Sequence, residues 1–277
     1  MYKRQKPKLG LSWKEHAKVA YEAWVGGCDI VKDDENLTNQ RFNPFKKRVI
    51  ETLKMRDKAE EETGERKMYM PNITAETLEM LSRGKFVRDH GGEYIMVDII
   101  TAGWSGLQSV RDQELGVIHA HRAMHAALTR NKEHGISMLV VAKCARLVGV
   151  DQLHIGTAVG KMEGGVDEVE AIEREIGLNF IRERGRSHIL AEEWGKIKPV
   201  FPVASGGLHP GLVPALTRIM GFDIIIQMGG GIHGHPHGTR AGASAARAAV
   251  EAAVEGIPLS DVKNSELQQA LRFWRSK

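Results

Sequence analysis

Asp223-Ile224-Ile225-Ile226-Gln227-Met228-Gly229 is the stretch on which the reading of the chain turns. Three consecutive isoleucines in a short run closed by glycines read as a strand covered on both faces, and such strands belong to parallel sheets with helices packed on either side. Behind the run, residues 239–255 are rich in alanine and stop before Gly256 and Pro258, the pattern of a helix with a glycine end. A strand followed by a helix is one βα unit.

The same alternation recurs outward from that unit to the N-terminus. Strand-like runs lie at 6–9, 29–34, 67–73, 94–100, 117–122, 152–157, 199–205 and 223–229, separated by longer amphipathic stretches. Ala17, Ala20, Tyr21 and Trp24 line one helical face, and Gly26 and Gly27 stop that helix. The charged stretch 45–63 ends at Gly64, a C-cap. Residues 261–274 add an amphipathic segment expected to pack under the barrel. About eight βα pairs predict an α/β fold of the TIM (β/α)8 barrel type, a size that one domain accommodates.

The composition, 42% hydrophobic and 27% charged, is that of an ordinary globular protein. No apolar run approaches the roughly 20 residues needed to span a bilayer, and no signal-peptide core is visible, so a cytoplasmic protein without membrane contact is expected. Cys28 and Cys144 lack metal-ligand spacing and read as reduced thiols. The net charge of +4 comes without a nucleic-acid motif, and no nucleic-acid partner is expected. Basic and acidic residues mix in stretches such as 54–67, as on solvated helix faces.

Barrel active sites lie at the C-terminal ends of the strands. The second run ends in Lys32-Asp33-Asp34-Glu35, where alternation puts Lys32 and Asp34 on one face. Two carboxylates beside a lysine suggest Mg²⁺, although such a tetrad alone is more often a charged turn. The fifth run ends in Ile118-His119-Ala120-His121-Arg122-Ala123-Met124-His125, where the fork of an arginine suits phosphate. His154-Ile155-Gly156-Thr157-Ala158-Val159-Gly160-Lys161 leads into a glycine-rich connection, either a mobile lid or a plain flexible loop. The backbone amides of Ser205-Gly206-Gly207 and of Gln227-Met228-Gly229-Gly230-Gly231 can cradle phosphates, with ligand-free glycine turns as the alternative. His233-Gly234-His235-Pro236-His237 has transition-metal spacing.

Taken with Lys6-Pro7-Lys8-Leu9-Gly10-Leu11 and the segment from Gly26 through Asn36, these motifs resemble the catalytic barrel of the RuBisCO large subunit over almost the whole chain. The resemblance implies that CO₂ carbamylates Lys32, which with Asp34 and Glu35 then holds Mg²⁺. It makes Lys6 the acid/base that protonates the final carbanion and Lys8 a residue that holds the intermediate. His121 becomes an acid/base, Arg122 and His154 phosphate ligands, and Lys161 the lid lysine that stabilises the incoming carboxylate. Ser205, Gly206, Gly207, Gln227, Met228, Gly229 and Gly230 fall around the two phosphate ends of the substrate, and His119 and His125 are structural. The same resemblance makes His233, His235 and His237 turn and helix-entry residues instead of metal ligands. Ile155 departs from the small residue often found there. The implied reaction joins ribulose 1,5-bisphosphate to CO₂ through an enediolate, giving two molecules of 3-phosphoglycerate, with O₂ as the competing partner.

Segments 119–136, 151–160 and 206–211 resemble the archaeal-type form III or II/III branch, associated with nucleotide salvage. A homodimer or an assembly of dimers is implied. Residues 6–277 are expected to be the barrel domain. The family's N-terminal α/β domain, roughly 150 residues and within the common domain size, has no counterpart in this sequence. In the family that domain of the partner subunit supplies a glutamate for the lid lysine and an asparagine near the metal. Met1-Tyr2-Lys3-Arg4-Gln5 matches a translated transposon end used in sequencing libraries and reads as a non-native leader. The expectation is therefore a truncated chain that carboxylates poorly. The alternatives are a RuBisCO-like phosphosugar enolase or isomerase, and a folded fragment without catalysis.

Overall fold

The computed structural model describes residues 10–131, 133–159, 165–183 and 189–275. It opens on α1 (Trp13–Val25), whose N-cap Ser12 forms a reciprocal capping box with Glu15. Then follow β1 (Ile30–Lys32), α2 (Phe45–Thr63), β2 (Met68–Met70), α3 (Thr77–Asp89), β3 (Tyr94–Asp98) and α4 (Ile99–Asp112). The middle of the chain supplies β4 (Val117–His121), α5 (Ala126–Thr129), α6 (Met138–Val148), β5 (Gln152–Gly156), α7 (Val166–Gly177), β6 (Phe180–Ile181) and β7 (Glu192–Glu193). The last third is β8 (Phe201–Ser205), α8 (Val213–Met220), β9 (Ile225–Gln227), α9 (Gly229–His233), α10 (Gly238–Glu255) and α11 (Ser265–Arg275).

β1 pairs parallel with β2, and β3-β4-β5-β8-β9 form a parallel run in that order. An Asn72 to Met96 bridge joins the two sheets, with Ile73 N–H donating to Met96 O and Met96 N–H to Pro71 O. The fold is an α/β barrel of the TIM type, with seven of its parallel strands among the described residues. The strand expected at 6–9 lies outside them.

Each expected strand within the described residues is present but shorter than its apolar run. Ile99 and Ile100 begin α4, Gly229 begins α9, and Asp33 and Asp34 fall just past β1. At strand ends the chain turns into its crossover, so side-chain patterning outlasts the ladder. Gly64 caps α2 at φ 69°, as its sequence position predicts.

Ile224, Ile225 and Ile226 are half-buried. β9 and β1 are the two edges of the parallel array among the described residues, and a cavity of about 410 Å³ is lined by Val31, Ile225, Ala20, Ala243 and Val250 among others. One finding departs from the sequence reading, the antiparallel ribbon β6–β7. Its small core of Ile181, Ile189 and Trp194 is pinned by Arg146, whose guanidinium sits 4.3 Å over the Trp194 ring. That guanidinium also donates to the carbonyls of Glu175, Leu178, Ile197 and Lys198.

Candidate active site

Alternation at the end of β1 turns Lys32 toward the barrel mouth and Asp33 into the wall. Asp33 and Arg48 are both fully buried (0% exposed) and paired at 2.9 Å. The Asp33 carboxylate also accepts from Tyr69 Oη at 2.8 Å and Asn72 N–H at 3.0 Å, and His16 Nε2 lies 3.1 Å away. Burial opposes its ionisation, but Arg48, His16 and the Asn72 amide overcome it and hold the group well below the usual carboxylate range. Asn72 further donates its side-chain amide to the carbonyls of Asp34 and Glu35. The backbone that presents the expected metal ligands is thus fixed from behind.

Lys32 Nζ donates to Asp33 O at 2.8 Å and touches Met96 Sδ at 3.5 Å. Burial pulls its amine below the ordinary lysine value, with Glu35, Asp34 and Asp98 opposing. Asp34 Oδ1 accepts from the backbone and side-chain amides of Asn36. Glu35 Oε2 lies 3.9 Å from His121 Nε2.

His121 ends β4 directly opposite Asp98 at the end of β3. Its Nδ1 meets Asp98 Oδ1 at 2.8 Å. A carboxylate can only accept, so Nδ1 donates to Asp98, and Nε2 points toward Glu35. Asp98 was missed by the sequence reading, which placed it inside a continuous strand. Its signal was a lone carboxylate among apolar strand residues. Burial draws the Arg122 guanidinium down to about 10, with only Glu168 opposing, so it remains a cation for which an anion would be a favourable neighbour. Met124 follows with φ 69°, a left-handed conformation unusual for a side chain of its size, at the turn out of β4.

One layer below the mouth the rings form a chain. His119 Nδ1 meets Gln152 Oε1 at 2.8 Å, His119 Nε2 meets His154 Nε2 at 2.7 Å, and His154 Nδ1 meets Ser205 Oγ at 2.8 Å. The His121 and His154 rings cross edge-on with centroids 4.5 Å apart. Burial pushes His119 down to about 3, helped by the charge of Lys32, and His154 well below its ordinary value. Among the described residues no three His, Cys, Asp or Glu side chains stand as a ready metal cage, and the ring nitrogens of His119 are spent on hydrogen bonds.

Ser205 ends β8 in register with Gln227 at the end of β9. Gly206 and Gly207 follow at φ 117° and 64°, which glycine adopts without strain. Met228 is buried, so its side chain belongs to the core and only its backbone faces the turn. Gly229 and Gly230 open α9, and Gly231 lies so close to Leu208 that an added Cβ would stand 2.3 Å from the Leu208 carbonyl. Lys32, Asp34, Glu35, His121, Arg122, Ser205, Gly206, Gly207, Gln227, Gly229 and Gly230 are thus carried at or just beyond strand C-termini, on the barrel face where ligands bind, and His154 lies mid-strand in β5, one layer below them. Lys6, Lys8 and Lys161 lie outside the described residues.

Residues 4–274 match the family described as ribulose bisphosphate carboxylase large chain, catalytic domain. The chain belongs to this family. It is 59% identical to the ribulose bisphosphate carboxylase of Methanocaldococcus jannaschii over 273 residues, 98% of this chain and 64% of that protein. The octameric Rubisco of Pyrococcus horikoshii OT3 superposes with a TM-score of 0.90 at 50% identity, covering 98% of this chain and 64% of that one. The dimeric archaeal Rubisco of Hyperthermus butylicus gives 0.90 at 48% identity, covering 97% and 64%. The chain therefore spans about two-thirds of the length of these carboxylase relatives.

In chemical terms the donors suit a hard divalent cation. Asp34 and Glu35 offer carboxylate oxygens, and Lys32, with its lowered amine, can supply a third oxygen only after conversion to a carbamate.

Proposed function

We propose that the protein is a Mg²⁺-dependent ribulose 1,5-bisphosphate carboxylase/oxygenase and that this chain carries the barrel side of its active site. The convergence of Lys32, Asp34, Glu35, His121, Arg122 and Ser205 on the C-terminal face of one barrel, with His154 bonded to Ser205 from the layer below, carries the reading. Family membership at 59% identity to a named carboxylase supports it.

Lys32, Asp34 and Glu35 would hold the metal, which supplies Lewis-acid polarisation of the substrate carbonyl when bound. Carbamate formation requires an uncharged amine attacking CO₂, and burial of Lys32 favours that form. His121, tethered by Asp98 on Nδ1, turns Nε2 toward Glu35, where an imidazole can take or return a proton. Arg122 and the amides of Gly206, Gly207, Gly229 and Gly230 suit the two phosphates. Lys6, Lys8 and Lys161 complete the proposed set as acid/base, intermediate-holding and lid lysines.

Nucleotide salvage is the setting implied by the resemblance to the archaeal-type branch, and the dimeric and octameric neighbours support a homodimer or an assembly of dimers. Activity is proposed for a protein of the relatives' length. The test is ¹⁴CO₂ incorporation into 3-phosphoglycerate by this barrel joined to a relative's N-terminal portion, with this chain alone in parallel. Turnover of the bisphosphate without labelled 3-phosphoglycerate would favour an enolase or isomerase and overturn the proposal.

A further inference from the structure

The chain Gln152–His119–His154–Ser205 crosses from β5 to β4, back to β5 and on to β8, and its protons can be counted. Both rings are buried and neutral at pH 7, so each carries one proton. The 2.7 Å contact between the two Nε2 atoms needs one hydrogen and tolerates neither two nor none. Only two arrangements satisfy this. In one, His119 is protonated on Nδ1 and His154 on Nε2. In the other, both protons move to the opposite nitrogens.

Gln152 Oε1 decides between them. It lies 2.8 Å from His119 Nδ1 and, as a carbonyl oxygen, can only accept. His119 Nδ1 therefore donates, His119 Nε2 accepts from His154 Nε2–H, and His154 Nδ1 is left bare to accept from the Ser205 hydroxyl. We infer that Gln152 is a positioning residue that sets, through two histidines, the direction in which the Ser205 hydroxyl points its proton. The Ser205 proton is directed into the barrel wall, and the lone pairs of its oxygen face the mouth. A ligand group meeting Ser205 must bring its own hydrogen, as a sugar hydroxyl does and a fully ionised phosphate oxygen does not. The inference rests on hydrogen-bond geometry and stands independently of the carboxylase reading.

The test is imidazole tautomer assignment by long-range ¹H–¹⁵N correlation NMR on the ¹⁵N-histidine-labelled 277-residue chain. Wild type should show His119 protonated on Nδ1 and His154 on Nε2. Gln152→Glu, whose ionised carboxylate can only accept, should preserve both at a pH where the carboxylate is ionised. Gln152→Leu should lose the single-tautomer signature of His154 while its ring stays buried. His154 found protonated on Nδ1 in wild type, a tautomer switch in Gln152→Glu, or a single Nε2–H tautomer retained in Gln152→Leu would each overturn the inference. If the leucine variant does not fold, the wild type and Gln152→Glu decide the matter.

Discussion

Replacing Asp33 with asparagine tests the claim that the metal-side loop is held from behind. The substitution keeps shape and removes one charge from a pair in which both side chains are 0% exposed. Arg48 would keep its hydrogen bonds to the carbonyls of Leu37, Thr38 and Asn43 but remain a buried cation without its counter-charge. Breaking a buried pair from one side costs about 3–5 kcal/mol. At about 2–4 °C per kcal/mol for chains of this size, the melting temperature should fall by roughly 6–20 °C. Urea unfolding should show a lower midpoint with an unchanged slope. The Asp33 carboxyl is depressed in the folded state, so its stabilisation is present above the unfolded value of about 3.9 and is lost as pH falls below it. Wild type should therefore lose stability faster than Asp33→Asn below about pH 4. Replacing both partners by Leu and Met should recover much of the loss, since an apolar pair leaves no orphaned charge. A single variant within about 1 kcal/mol of wild type would refute the reasoning.

Three further outcomes follow from the same geometry. His119 and His154 are depressed in the fold, so the unfolded chain binds more protons below pH 6.5. Stability should be complete above that value and fall as pH drops toward about 3, at up to about 1.4 kcal/mol per pH unit for each histidine, as measured by urea titrations at successive pH values. Asp98→Asn should free the His121 ring, lowering kcat of the joined full-length protein by up to about 10²-fold with little change in KM, and the pH–rate profile should shift while the fold persists. Arg146→Ala strands four carbonyls and uncovers Trp194, so amide exchange should accelerate across β6 and β7 well before the parallel strands are affected.

Much of the fold could be read because parallel strands buried by helices advertise themselves as apolar runs. Tyr94–Asp98 and Gln152–Gly156 sit almost entirely within their expected limits for that reason. The two-residue strands of the β6–β7 ribbon carry no such signature. Phe180 is exposed, Ile181 is buried, and the partner strand is a pair of glutamates, so the ribbon exists through Arg146 and Trp194 and not through its own pattern.

The site divides along the same line. The residues proposed to meet a ligand were visible because strand ends are where a barrel places polar groups, and Lys32, His121, Arg122 and Ser205 are chemically conspicuous there. The residues that orient them were not, because orientation is a pairwise property. Asp98 has a role only in register with His121, Gln152 only beside His119, and Arg48 only under Asp33. Each pair joins different strands or a strand end to a helix, and no spacing within one element encodes it. A sequence of this kind therefore shows its reactive groups before it shows what decides their protonation. Which nitrogen of His154 is bare, and hence what Ser205 can accept, depends on an amide oxygen one layer further down the barrel.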